Sequence, residues 1–199
     1  MNRKKKFWLF FTLFVLSFIL RAFPYSSQFI SGDEAITSNF VLDSYPDQWS
    51  LASFTQSDHR AAGNPLRLGA FHYGALNPML MWLSGLIAML LGFAITEFVW
   101  AVPVLLIGAA TPLMVYALLE KLINKEAGWI GLVIFMVLPI HMVQSRCFIP
   151  NEIHGFFMQV TVLYFFVCYL DKGTRLSGLL AGFVLAIYIN THLQWPAMG

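Results

Sequence analysis

The stretch MLMWLSGLIAMLLGFAI, residues 79–95, decides the fold, because every later segment changes sides with it. Its 17 residues carry no charge, so by hydropathy alone it reaches the lower limit of a bilayer-crossing helix. The lysines argue otherwise. If the stretch does not cross, the turns holding Lys121 with Lys125, and Lys172 with Arg175, fall on the same side as the basic start Arg3, Lys4, Lys5 and Lys6. If it crosses, both turns move outside and Arg146 moves inside. The excess of Lys and Arg on cytoplasmic loops selects the first arrangement. Residues 79–95 are therefore expected to lie along, or dip into, the outer leaflet.

Composition points the same way. The 199 residues are 58% hydrophobic and only 11% charged, with a mean hydropathy of +0.69, far from a water-soluble mix. A net charge of +2 spread over membrane flanks, not over one polar face, implies no nucleic-acid partner. The expected fold class is all-α: a polytopic integral membrane protein in a single membrane domain over residues 1–199. It would have about five spanning helices, an interfacial or re-entrant helix and a helical outer loop. The spans are expected at residues 7–20, 98–119, 127–143, 155–170 and 176–189, with Pro103 and Pro112 tolerated as kinks. A signal peptide would need a small-x-small cleavage site, which Arg21, Ala22, Phe23, Pro24 and Tyr25 do not supply. The first run is therefore an uncleaved anchor in a multi-pass cell-membrane protein with a cytoplasmic N-terminus.

Residues 24–78 form the outer loop, the only long polar stretch. Near its start Ser31 and Gly32 precede the acidic pair Asp33 and Glu34. Two roles are open for the pair. It can cap a helix through Ala35, Ile36 and Phe40. It can also serve as a proton acceptor whose pKa rises by partial desolvation at the bilayer surface. Asp43, Asp47, Asp58, His59, Arg60, Arg67 and His72 are interleaved with Tyr45, Trp49, Phe54, Phe71 and Tyr73, a mixture suited to a folded cap.

On this topology all six lysines are cytoplasmic, while Arg21, Arg60, Arg67, Arg146 and all five histidines lie outside. A planar, permanently charged guanidinium suits an anionic headgroup. Arg146 opens a short outer turn with Asn151, Glu152 and His154, and both a phosphate contact and a snorkelling anchor are open to it. No pair of histidines has the spacing of a metal-binding helix. Cys147 and Cys168 sit at opposite depths, which forbids a disulfide between them.

The order of features is a basic anchor, an early Asp33-Glu34 pair and Pro78 opening an apolar segment. A Pro-bearing span with a short basic turn follows, then Pro139, Ser145, Arg146, Asn151 and Glu152 leading into an aromatic helix. This resembles the amino-terminal half of the GT-C superfamily of polyprenyl-phosphate-sugar glycosyltransferases. That superfamily includes protein O-mannosyltransferases, aminoarabinose transferases and the oligosaccharyltransferase catalytic subunit.

The resemblance implies transfer of a sugar from a polyprenyl-phosphate donor, with inversion, to a lipid, glycan or protein acceptor at the outer face. It implies that Asp33 is the catalytic base, Glu34 a supporting acid and Glu152 the second acidic residue. Arg146 would lie near the donor phosphate, with His72, Asn151 and His154 as further substrate-binding candidates. Relatives carry a His-Pro-Pro-like element near His72, of which Asn77 and Pro78 offer part. Glu152 has three roles open to it: binding a divalent metal, orienting the acceptor, or pairing with Arg146. No other cofactor is implied, and membrane lipids are the remaining partners. Relatives carry more spans, so the chain is expected to be an amino-terminal fragment of a longer protein. The rival classes are a transporter for an anionic solute and a non-catalytic membrane subunit. Spans nearly free of charge, with polar residues gathered at one face, favour surface chemistry over a midplane transport site.

Overall fold

The computed structural model describes residues 2–23, 60–61, 64–65, 76–94, 96–146 and 151–192. Among them lie seven helices: α1 (Arg3–Ala22), α2 (Leu76–Leu90), α3 (Glu97–Leu122), α4 (Lys125–Val137), α5 (Pro139–Gln144), α6 (Asn151–Lys172) and α7 (Arg175–His192). The expected helix through Ala35, Ile36 and Phe40 lies outside the described residues. Within the outer loop the described backbone is an antiparallel ladder that pairs Arg60 with Pro65 and Ala61 with Asn64. This small β element departs from a purely helical loop.

The chain divides into two units, one of residues 1–25, 104–146 and 152–188, the other of 26–103, 147–151 and 189–199. In the first unit α3 is the centre, as its composition dictates: it is apolar on every side and carries a buried row of Val104, Leu105, Ala109 and Thr111. Val115 and Leu118 pack with Val160 of α6, while Tyr116 packs with Leu132 and Met136 of α4 and with Phe10 and Leu13 of α1. Phe10, Tyr116 and Trp129 form an aromatic cluster, the Tyr116 ring edge-on to Trp129 at 4.9 Å and Phe10 stacked on Trp129 at 6.1 Å. The outward faces are equally apolar: Phe7, Trp8, Ile130, Leu163, Leu179 and Phe183 are all exposed. A water-facing bundle would carry polar side chains there.

Helix directions follow from the polar contacts. Lys6 Nζ lies 3.9 Å from Glu120 Oε2, and Lys121 pairs with Asp171, so the end of α3 meets both the start of α1 and the end of α6. Gln159 Nε2 donates to the Tyr188 hydroxyl at 2.5 Å, which sets α6 and α7 antiparallel. Asn124 caps α4, its Oδ1 accepting from the Ala127 amide at 2.8 Å, with Glu126 in the first turn to suit the helix dipole. The lysine-bearing turns thus gather at one end of this unit.

Among the described residues one helix, over Phe98–Leu122, is long and apolar enough to cross a membrane by length and composition; Met79–Leu90 and Arg175–Ile189 are shorter apolar helices. Two expected elements differ from the structure. The expected helix over residues 79–95 ends at Leu90, because Gly92 takes φ 75° and closes it. The Phe93 amide returns to the Ala88 carbonyl at 2.9 Å and that of Gly92 to Met89 at 3.0 Å, the paired bonds of a Schellman end. The 15 residues of α2 rise about 22 Å, short of the ~30 Å hydrocarbon core. The expected span over 127–143 is broken: Leu138 leaves the helix with φ −60° and ψ 114°, the extended region favoured before proline, and α5 restarts at Pro139.

Close approach of α3 to the turn after α5 depends on Gly108, where an added Cβ would lie 2.5 Å from Ser145 Cβ and 3.4 Å from Arg21 Cδ. Gly182 on α7 has nothing within 4 Å of such a Cβ. Gly108→Ala is therefore expected to destabilise the protein by about 1–3 kcal/mol through overpacking. Gly182→Ala should instead gain about 0.5–1 kcal/mol of helix stability. Unfolding in mixed micelles checks both, and equal effects of the two changes would contradict the packing account.

Candidate functional site

At the end of the first unit opposite the lysines, α1 finishes against the break between α4 and α5. Proline has no N–H, so Pro139 cannot close the helical bond to the carbonyl four residues earlier, that of Phe135. An unsatisfied carbonyl costs several kcal/mol where no water reaches it. Arg21 supplies the donor: its Nη2 lies 3.1 Å from the Phe135 carbonyl oxygen. The same nitrogen reaches His141 Nδ1 at 2.9 Å, and Nη1 donates to the Ser17 carbonyl at 2.9 Å and to Ser17 Oγ at 2.6 Å. Arg21 is 0% exposed, and Ser17 and His141 are buried with it.

These contacts assign the imidazole. A guanidinium only donates, so Nδ1 of His141 accepts and the ring is neutral with its proton on Nε2. The His141 ring stands edge-on to Phe135 at 5.7 Å and to Phe156 of α6 at 6.5 Å, and Phe156 stacks on Phe135 at 5.1 Å. His141 Nε2 and Arg21 Nε are both buried without a partner among the described residues.

Arg146 completes the corner. Ser145 ends α5, its amide bonded to the His141 carbonyl at 3.0 Å, and the chain turns so that Arg146 reaches back over α1. Its Nε donates to the Arg21 carbonyl at 3.0 Å, and its Nη2 donates to those of Leu20 at 3.0 Å and Phe23 at 3.3 Å. A cation on the last carbonyls of a helix satisfies orphan acceptors and suits the negative end of the dipole. Arg146 is therefore a cap for α1, and its Nη1 has no described protein acceptor. Among the described residues neither Arg21 nor Arg146 has an ion-pair partner.

The expected site residues fall into three groups. Asp33, Glu34 and His72 lie outside the described residues, as does Cys147. Asn151, Glu152 and His154 occupy the first turn of α6 and are described by backbone only. Glu152 and His154 precede Phe156, so their backbone lies at the same end of the first unit as Arg21 and His141. Arg146 is fully placed. Ser17, Arg21, Pro139 and His141 had no assigned role in the sequence. The available signals were an arginine at the end of the first apolar run and a proline inside the fourth, residues 127–143.

A family model described as dolichyl-phosphate-mannose-protein mannosyltransferase matches residues 75–195, more than half of the 199-residue chain. No curated protein and no solved structure matches the chain.

The Arg21 to Phe135 bond is testable through the proline that makes it necessary. Arg21→Met is expected to cost about 1–3 kcal/mol for each buried group left unpaired. In a Pro139→Ala background, where the residue-139 amide returns to the Phe135 carbonyl, the same change should cost less. Equal costs in the two backgrounds, measured by unfolding in mixed micelles, would separate Arg21 from the break.

Proposed function

Because the chain belongs to the dolichyl-phosphate-mannose-protein mannosyltransferase family, we propose that it transfers a sugar from a polyprenyl phosphate to an acceptor at the outer face of a membrane. Members of this family are membrane glycosyltransferases of the polyprenyl-phosphate-sugar type, and the match over residues 75–195 is the observation that carries the reading. We read the protein as multi-pass with a cytoplasmic N-terminus, about five crossings and α2 along the outer leaflet. What supports this is the gathering of Lys6, Lys121, Lys125 and Lys172 at one end of the first unit, with Arg21, His141 and Arg146 at the other.

The chemistry follows from charge. The sugar leaves as its anomeric carbon to phosphate-oxygen bond breaks, and the polyprenyl phosphate keeps the electron pair. An acceptor hydroxyl or amine attacks from the opposite face of the ring, which inverts the anomeric centre, and Asp33 takes its proton. Glu34 beside it is the supporting acid, since a neighbouring carboxylate favours the proton on Asp33. The departing phosphate gains negative charge in the transition state and needs a positive group that does not have to reorganise. Arg146 meets that requirement, since three carbonyls of the α1 end hold its Nε and Nη2. Glu152 orients the acceptor from the first turn of α6, with Asn151, His154 and His72 as further substrate contacts.

Asp33→Asn is expected to lower transfer at least about 100-fold, the ordinary worth of a general base, with membrane insertion intact. Near-normal transfer by that variant would remove Asp33 from the role of base. The topology is tested with single cysteines at positions 34, 121 and 152 in a background lacking Cys147 and Cys168. Labelling from outside is expected at 34 and 152 but not at 121. Labelling at 34 and 121 but not 152 would mean that α2 crosses, which separates the two acidic groups by the bilayer and ends the proposed site.

A further inference from the structure

The second half of α6 and the start of α7 enclose a groove of about 580 Å³, within the range of about 300–1,000 Å³ typical of small-ligand sites. One wall is Val162, Phe166 and Tyr169, an i, i+4, i+7 stripe of α6, and the other includes Gly182 and Leu185 of α7. Arg175 stands at one end, in the first turn of α7, and has no ion-pair partner among the described residues. Lys172 lies three residues before it, and the Thr174 and Ser177 hydroxyls meet at 2.7 Å in the same turn. The groove is thus apolar along its length and cationic at one mouth, where the positive end of the α7 dipole adds to the charge. A ligand that fits has one hydrocarbon chain and an anionic head.

We propose that this groove holds an acyl chain of an anionic glycerophospholipid, with the lipid phosphate on Arg175. The mouth lies at the lysine-bearing end of the unit, the cytoplasmic end in the topology above, and anionic lipids concentrate in that leaflet. A second helix is the less suitable occupant. It would need the small-residue seam of Gly178 and Gly182, but a Cβ on Gly178 already meets the Tyr169 ring at 3.2 Å. The inference rests on the membrane topology alone and is independent of glycosyl transfer.

The test is native mass spectrometry of the full chain in neutral detergent, with palmitoyl-oleoyl phosphatidylglycerol or the matching phosphatidylcholine added. Phosphatidylglycerol is expected to bind about fivefold more tightly, as one membrane-surface cation provides. Arg175→Gln should abolish that preference and Arg175→Lys should keep it, which separates charge from folding. Gly182→Leu, placed where there is open space, should fill the groove and weaken both lipids. Equal binding of the two lipids, an unchanged preference in Arg175→Gln, or displacement of phosphatidylglycerol by soluble glycerol phosphate would each overturn the proposal. So would a Gly182→Leu variant that binds lipid normally but dissociates from dimer to monomer, which would assign the groove to a second copy. None of these outcomes bears on transferase activity, so the two readings fail separately.

Discussion

One missing N–H shapes the end of the first unit opposite the lysines. Pro139 leaves the Phe135 carbonyl without its helical partner, beside the buried Arg21 and His141. Arg21 comes from a different helix, more than a hundred residues earlier in the chain, and closes that gap at 3.1 Å. Bringing a guanidinium into the interior creates further demands. Ser17 meets them from one turn below, and His141 meets them as a neutral imidazole from the short helix that the proline begins. The break and the buried arginine therefore depend on each other.

That corner then determines where the chain can go. With α5 only six residues long, Arg146 turns back onto the end of α1 and caps it through three carbonyls. The polar loop leaves from just beyond the same carbonyls, and Asp33 follows Phe23 by ten residues. The cluster thus ties the end of α1 to the end of α5. In the function we propose, this cap would hold the Arg146 guanidinium in place, so that its positive charge need not reorder as the donor phosphate leaves.

Much of this was legible from residue type and order. The run of apolar segments and the placement of lysines at one end follow from hydropathy and charge asymmetry, which act locally. The family was legible too, from the ordered combination of Asp33-Glu34, Pro78, Arg146 and Glu152, and the match over residues 75–195 agrees with it. The end of α2 at Leu90 was missed because Gly92 sits inside an unbroken apolar run, where hydropathy gives no stop. The break at Leu138 was missed for the same reason, since Pro103 and Pro112 are carried inside α3 while Pro139 is not. A proline's local cost is similar in each case, and whether the helix continues depends on what packs around the freed carbonyl.

The sequence by itself determined the apolar helical class, the approximate place of most helices, the gathering of the lysines and the family, because each rests on composition or short-range pattern. Only the tertiary structure decided the partners of Arg21, the tautomer of His141 and the capping role of Arg146. Those depend on which distant carbonyls fold within about 3 Å of a guanidinium, a relation between helices that no local pattern encodes.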